Sequence, residues 1–175
     1  LGSSVAAAVA LALTNGRALA EATPVSGAIE AVTADGARKA IEADALKQLK
    51  ASLRGSLILP GEPGYDVARR VINVSIDRHP ALVVRPSGVA DIRTAVQFAS
   101  ENDLLLAVKC GGHSYSGKST CDGGMQIDLS TFRGVHVDPA RRVARVAGGS
   151  LLGELDHEAL AFGLVTTAGT VSHTG

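Results

Sequence analysis

The chain has 175 residues, of which 46% are hydrophobic and only 3% are aromatic. This length allows one domain with a sizeable core, and the composition requires that core to consist of aliphatic side chains and alanine. The 17 basic residues balance the 17 acidic ones, which argues against the strongly basic face that nucleic-acid binding needs. No run of lysine or arginine exceeds two residues, so the sequence has no polybasic membrane patch.

The first 22 residues have the features of an export signal. Residues 5–13 are apolar and rich in alanine, but this stretch is too short to span a bilayer. Ala18, Leu19 and Ala20 follow it and match the A-x-A pattern of a cleavage site. We therefore expect residues 1–22 to be the remnant of an export signal with its basic region missing. The alanine-rich core also suits a twin-arginine signal, although the two arginines are absent from the sequence. The protein would then be periplasmic or secreted, without stable membrane insertion; the alternative is an ordinary alanine-rich helix.

The next part of the chain is predicted to be a linker and then a helical lead-in. Residues 23–36 are small, polar and aperiodic, which is typical of a linker. Over residues 37–53 apolar side chains recur every fourth residue, as on one stripe of a helix. The sequence LILPGEPGY breaks this pattern with its prolines and glycines, and a short second helix is expected over residues 66–76. Residues 37–76 thus form the lead-in.

A strand, a helix and a second strand follow in close succession. Residues 81–84 are an apolar run that predicts a strand, and residues 104–108 predict the next one. Between them Ser87 can cap a helix that carries Asp91 in its first turn. Such a βαβ unit predicts two parallel strands with a right-handed crossover.

Beyond this unit the hydrophobic period changes to that of half-buried strands. In residues 125–130 apolar and polar side chains alternate, and residues 135–137 and 143–146 read as further strands. Asp138 begins a turn signal between the last two, so this region has the pattern of β-hairpins.

A last helix is expected between a cap at Ser150 and a stop at Gly163. The chain then closes with LVTTAGTVSHTG, which is a loop sequence. An end inside such a loop favours a truncated chain over a natural C-terminus.

The most informative segment is VKCGGHSYSGKSTCDGG, residues 108–124. Residues 112–119 match the phosphate-loop pattern G-x-x-x-x-G-K-[ST]. That pattern indicates a nucleoside triphosphate site only where a strand precedes it and a helix follows directly. A strand is predicted before it, but Gly123 and Gly124 and an alternating strand come after it, so a triphosphate loop is disfavoured.

The glycines of this segment still suit a ligand that carries phosphate. They let the backbone turn tightly and approach a ligand closely, and Lys109, Ser114 and Ser116 add donors beside them. A pyrophosphate would fit such a cradle, although a glycine-rich loop without a ligand explains the composition equally well.

Cys110 and Cys121 flank the motif and could form a disulfide or remain two free thiols. No CxxC zinc pattern is present, and no metal is expected.

The histidine of the segment decides between these alternatives through a family resemblance. KCGGHSYSG resembles the R/K-x-G-G-H-S-x-x-G motif of the FAD-linked oxidases with a vanillyl-alcohol-oxidase (PCMH)-type FAD-binding domain, in particular the berberine-bridge-enzyme-like branch. RHPALVVRPSGVADIRTAVQFASENDLLLAVKCGGHS is similar to the first FAD subdomain of that family, and residues 125–175 to the start of the second. The resemblance covers about residues 53–175. It implies an α+β fold of two subdomains over residues 77–175, the first containing the βαβ unit and the second incomplete.

The resemblance also implies which residues bind FAD. His113 would carry the flavin through a bond from a ring nitrogen to the 8α-methyl carbon, and the backbone of the neighbouring loop would hold the pyrophosphate. Valine stands at position 171, where many members of the branch have a second attachment through cysteine, so a single covalent link is expected. The expected cofactor-binding residues are Lys109, Cys110, Gly111, Gly112, His113, Ser114, Tyr115, Gly117, Thr170, Ser172, His173, Thr174 and Gly175.

The function that the resemblance implies is that of an FAD-dependent oxidase. It would transfer a hydride from an alcohol, a sugar or a related small molecule to covalently bound FAD, with O₂ as the acceptor. In the family the catalytic residues lie in later sequence, and the substrate and the oligomeric state are not indicated. The alternatives are a non-catalytic flavin- or ligand-binding protein and a phosphate-loop nucleotide hydrolase.

Overall fold

A computed structural model describes residues 27–175, and the predicted export signal lies outside these residues. This part of the chain contains eight strands and four helices. In order, they are β1 (Ile29–Val32), β2 (Arg38–Ile41), α1 (Ala43–Ser52), β3 (Ser56–Ile58), α2 (Tyr65–Arg69), β4 (Leu82–Arg85), α3 (Val89–Glu101), β5 (Leu106–Lys109), β6 (Met125–Asp128), β7 (Val135–Asp138), β8 (Val143–Val146) and α4 (Leu152–Leu160). No helix in this range is long and apolar enough to cross a membrane.

The largest sheet has four strands in the order β3-β4-β6-β5. β4 and β5 both run parallel to β6, whereas β3 is antiparallel to β4. The predicted parallel direction of β4 and β5 is therefore confirmed, but the two strands are not neighbours because β6 lies between them.

Both faces of this sheet are covered, because successive side chains of a strand point to opposite faces. On one face Val84 and Ile127 pack in a core cluster with Leu46 of α1 and Ala95 of α3. On the other face Val83 packs with residues of β3 and α2 in a smaller cluster. The sheet is thus the buried centre of the domain.

This burial corrects the prediction for residues 125–130. Their alternating pattern predicted a strand with one polar outer face, yet Gln126 and Asp128 are fully buried together with Met125 and Ile127. The reason is that β6 is central and has helices or loops on both faces, so its polar side chains find partners inside the protein. The hairpin pattern is correct for β7 and β8, which pair antiparallel.

The N-terminal lead-in also differs from its prediction. The predicted linker over residues 23–36 contains β1, and the predicted helix over residues 37–53 is divided into β2 and α1. β1 and β2 form a hairpin that docks on the domain through Val32, whose N–H donates to Gly123 O and whose carbonyl accepts from Leu105 N–H. Such tertiary hydrogen bonds leave no periodicity in the sequence, which is why the pattern missed this hairpin.

The helix predicted over residues 66–76 is shorter than expected. α2 ends at Arg69, and Arg70 is already extended with a ψ of 144°. The residues after it bond to the glycine-rich loop instead of continuing the helix. The lead-in also supplies β3 to the main sheet, so it is neither purely helical nor separate from that sheet.

Two predicted helix caps have other partners. α3 begins after Gly88, without a side-chain cap from Ser87. Ser150 bonds to the backbone of Gly134, and the first turn of α4 is closed instead by Glu154, whose carboxylate accepts from the N–H of Leu151 at 2.8 Å.

Asp91 joins three segments of the first half of the domain. It is 3% exposed, and its carboxylate accepts hydrogen bonds from the N–H groups of Arg54, Gly55 and Ser87 and from the Ser87 hydroxyl. Burial alone raises the pKa of Asp91, but these donors outweigh it and lower the pKa to about 2. Asp91 is therefore a buried carboxylate that ties the start of α3 to residues 54–55 and to Ser87. Its position in the first turn of a helix would instead suggest a solvated charge.

We expect Asp91→Ala to lower the free energy of unfolding by about 3 kcal/mol, because it leaves several buried donors without an acceptor. Urea denaturation at neutral pH measures this loss. Ser87→Ala is the control, and it should cost less because it removes only one of the donors. Because the pKa of Asp91 is depressed on folding, its contribution is complete above about pH 4 and is lost as the pH falls towards 2. An unfolding free energy that is equally pH-dependent in Asp91→Ala between pH 4 and 2 would contradict this role.

Candidate cofactor site

The glycine-rich loop runs from the end of β5 to the start of β6. β5 ends at Lys109 and β6 begins at Met125, and residues 110–124 between them contain only turns and bends. A triphosphate loop needs a helix directly after the lysine and serine of its pattern, because the helix N-terminus meets the phosphates. Residues 112–119 lack that helix, so the nucleotide-hydrolase alternative loses its structural support.

The first half of this loop has a run of free backbone donors. Within the described part of the chain, the structure gives no hydrogen-bond acceptor to the N–H groups of residues 111–116. Gly112 has a φ of 71° and Gly117 a φ of 74°, values that bend the loop at both ends and favour glycine. Successive unpaired N–H groups in a bent loop form a concavity that binds anions.

One side of the loop is covered by the chain that follows α2. We call residues 70–76 the strap. The N–H of Ile72 donates to Gly112 O at 3.1 Å, and the Asn73 amide donates to Tyr115 O at 2.8 Å. A Cβ on Gly117 would lie 2.8 Å from Cγ2 of Ile76, so the strap contacts the loop along its length.

The other side of the loop is contacted by the last residues of the chain. A Cβ on Gly111 would lie 2.6 Å from the N atom of Gly175 and 3.0 Å from the carbonyl oxygen of His173. We call residues 170–175 the second loop. α4 holds it in place, because the N–H groups of Leu152 and Gly153 donate to the carbonyls of Thr174 and Ser172. The two clusters of cofactor-binding residues predicted from the sequence are therefore brought together, although about 60 residues separate them.

His113 lies where these two loops meet. It is half-buried, and its Nδ1 is 3.3 Å from the hydroxyl oxygen of Thr174. A hydroxyl can donate to an imidazole nitrogen or accept from it, so Thr174 suits either tautomer of the ring. This contact orients the histidine towards the junction of the loops.

Lys109 has a different place from the one predicted for its side chain. It is 6% exposed, and its ammonium donates to the carbonyl oxygens of Ala68 and Arg70 at the end of α2. Burial lowers the pKa of Lys109, and Asp128, whose Oδ1 lies 3.5 Å from Nζ, partly opposes this shift. The backbone of Lys109 leads into the loop, but its ammonium group binds oxygens inside the protein.

Sequence reasoning missed the importance of Arg85 and Asp128 near this site. Asp128 accepts two hydrogen bonds from Arg85 on the same carboxylate oxygen, at 2.8 and 3.1 Å. The available signal was that Arg85 and Lys109 directly follow two predicted strands and that Asp128 lies within a third. Whether these residues are neighbours depends on the order of the strands, which the sequence pattern does not give. The buried ion pair with Arg85 gives Asp128 a structural role.

The remaining residues expected at the cofactor site are mostly accessible. Tyr115 is 85% exposed, and Thr170, Ser172 and His173 are exposed as well.

Cys110 and Cys121 are free thiols, and burial raises the pKa of Cys121 to about 11. The disulfide alternative is therefore not realised in this structure. Among residues 27–175 no group of three or more His, Cys, Asp or Glu side chains could hold a metal ion.

Comparisons with known proteins agree with a flavin site. The family described as "FAD binding domain" matches residues 80–175, more than half of the chain. (R)-6-hydroxynicotine oxidase of Paenarthrobacter nicotinovorans is 36% identical over 121 residues, which are 67% of this chain and 26% of that protein. An FAD-linked oxidoreductase of Dictyostelium discoideum is 40% identical over 126 residues, 71% of this chain and 27% of its own length. The chain thus spans about a quarter of the length of these relatives.

Solved structures show the same relationship. 6-Hydroxy-D-nicotine oxidase from Arthrobacter nicotinovorans has a TM-score of 0.68 and 33% identity, over 71% of this chain and 27% of that one. The berberine-bridge-enzyme-like protein 1 of Physcomitrella patens has a TM-score of 0.67 and 30% identity, over 74% of this chain and 29% of that one. The chain therefore belongs to the FAD binding domain family and has the α+β fold of the PCMH-type FAD-binding proteins.

Proposed function

We propose that the protein containing this chain is an FAD-dependent oxidase, in which this chain holds the cofactor through a single covalent link to His113. Its substrate would be an alcohol, a sugar or a related small molecule, and O₂ the acceptor of the electrons. When bound, the flavin supplies the redox chemistry by accepting a hydride from the substrate and passing the electrons on. The chain's own residues supply binding and orientation.

The observation that carries this proposal is the run of N–H groups over residues 111–116, beside His113, for which residues 27–175 supply no acceptor. A pyrophosphate needs donors more than cations, and backbone N–H groups supply them without a side chain. Gly111 and Gly175 approach each other so closely that a Cβ on either would clash with the other. At Gly111 and Gly175 the two loops therefore meet through backbone atoms, with no room for a side chain.

His113 is the group in this junction that can hold a flavin covalently. A neutral imidazole nitrogen is a nucleophile near neutral pH, and the Thr174 hydroxyl at 3.3 Å from Nδ1 orients the ring. Val171, which stands in the second loop, offers no nucleophile. These features support one histidyl link and no second, cysteinyl one.

Replacing His113 by Ala should release the flavin from the full-length protein when the protein is precipitated with acid, because the covalent link is lost. We expect the wild-type pellet to stay yellow and the His113→Ala supernatant to take up the colour. Absorbance of both fractions at flavin wavelengths measures the distribution. His136→Ala, on the exposed side of β7, is the matched control and should behave as the wild type. Flavin that comes free from the wild-type protein would refute the covalent link.

We expect Gly111→Ala to reduce the flavin content of the purified protein strongly, because its Cβ would lie 2.6 Å from backbone of the second loop and force the two loops apart. The ratio of flavin to protein absorbance gives the result. Gly88→Ala is the control, because nothing lies within 4 Å of a Cβ at Gly88. Equal flavin content in the two variants would show that the junction does not hold the cofactor.

Release of hydrogen peroxide from O₂ separates an oxidase from a non-catalytic flavin-binding protein. We expect the flavin-loaded full-length protein to form peroxide with at least one member of a panel of sugars and primary and secondary alcohols. A coupled peroxidase assay measures the product, with the same panel and heat-denatured protein as the control. A protein that holds flavin but is neither reduced by any donor nor forms peroxide would favour the non-catalytic alternative.

We also propose that the protein is exported, on the evidence of the apolar residues 5–13 and the A-x-A pattern that ends at Ala20. Removal of the signal would leave a mature chain that begins near Glu21. N-terminal sequencing of protein recovered from outside the cytoplasm tests this proposal. An intact N-terminus on cytoplasmic protein would refute it.

A further inference from the structure

Three neighbouring strands of the main sheet end in charged side chains. β4 ends at Arg85, β6 at Asp128 and β5 at Lys109, and Lys109 and Asp128 are direct partners in the parallel register. Asp128 has no exposed surface. Its Oδ2 accepts from the guanidinium of Arg85, and its Oδ1 lies 3.5 Å from Nζ of Lys109. A buried carboxylate thus lies between two cations.

The ammonium of Lys109 points away from the loop and towards α2. It donates to the carbonyl oxygens of Ala68 and Arg70, and Gln126 donates to Ala68 O as well, at 2.8 Å. The last carbonyls of a helix have no partner within the helix and are stabilised by cations. Lys109 is 6% exposed, and its ammonium is directed at oxygens of the protein.

The strap begins at the carbonyls that Lys109 holds. From Arg70 it runs back over the loop, where Ile72 N–H donates to Gly112 O and the Asn73 amide donates to Tyr115 O. Lys109 is therefore connected to the loop in two ways. Its backbone leads directly into the loop, and its side chain binds carbonyls at the start of the strap, which covers the loop. A shift of α2 would move the strap and the free N–H groups together.

We propose that Lys109 is a positioning residue for the flavin loop, which acts through α2, the strap and Asp128 and makes no contact with the diphosphate. This inference rests on the proposed function, since it assigns a role towards the same cofactor. A positively charged residue beside a phosphate loop invites the opposite interpretation, in which the ammonium binds the diphosphate directly. The two interpretations differ in what Asp128 does.

The test measures FAD affinity in the full-length His113→Ala protein, where binding is reversible. Lys109→Met removes the charge and the donors, and we expect FAD to bind about tenfold more weakly or worse. Lys109→Arg keeps both and should recover most of the affinity. Asp128→Asn should weaken binding as well, and the effects of Lys109→Met and Asp128→Asn should not add in the double variant, because both act on one network. Titration of FAD fluorescence gives the affinities.

A direct contact with the diphosphate predicts the reverse for Asp128→Asn. Removal of the carboxylate would free the ammonium, so FAD would bind equally well or more tightly. That result, or an unchanged affinity in Lys109→Met, would overturn the inference. The visible circular dichroism of the bound flavin is a second readout, and it should change in Lys109→Met and return in Lys109→Arg. Wild-type protein without flavin would instead refute the proposed function.

A strap variant keeps the inference testable if Lys109→Met does not fold. Asn73→Ala removes one hydrogen bond between strap and loop, and we expect about threefold weaker FAD binding in the His113→Ala protein. Ser75→Ala is the control, because the Ser75 side chain is exposed and makes no bond to the loop among the described residues. Equal affinity in the two variants would overturn the role of the strap.

Discussion

Asp128 is a charged side chain without exposed surface, at the end of the central strand of the main sheet. A carboxylate in such a place is stable only where cations and hydrogen-bond donors replace water. Arg85 and Lys109 meet this need from the two flanking strands, and the N–H of Ser130 donates to the second oxygen. Because Lys109 also leads into the glycine-rich loop, Asp128 is linked through Lys109 to the start of that loop.

The loop itself is shaped by contacts that allow no side chain. The strap approaches it from one side and the second loop from the other, and the closest contacts occur at Gly111, Gly117 and Gly175. Glycine at positions 111 and 175 is explained by close approach of backbone atoms. At Gly117 the Ile76 side chain and a positive φ both favour glycine. The result is a run of N–H groups that have no acceptor within the described part of the chain. This run lies between the strap and the second loop, and His113 and Thr174 lie where the two loops meet.

The main elements of the fold follow from local sequence patterns. The apolar runs of β4 and β5 and the helical period of α3 were predictable, because each is a property of consecutive residues. β6 was predictable as a strand but not as the central one. Gln126 and Asp128 alternate with apolar residues, as they would in a strand with one face exposed to water. The hairpin of β1 and β2 was missed, because the bonds of Val32 to Gly123 and Leu105 join residues far apart in the chain.

The glycine–histidine motif was enough to predict the family and to point to His113 and its neighbours. This was possible because the residues of the motif are consecutive in the sequence. Only the tertiary structure decided what surrounds that loop. It brought residues 170–175 against Gly111, turned the Lys109 side chain inwards to α2, and set Arg85, Asp128 and Lys109 side by side. These contacts depend on the order of strands in the sheet, and strand order comes from packing over the whole domain, which no short stretch of sequence contains.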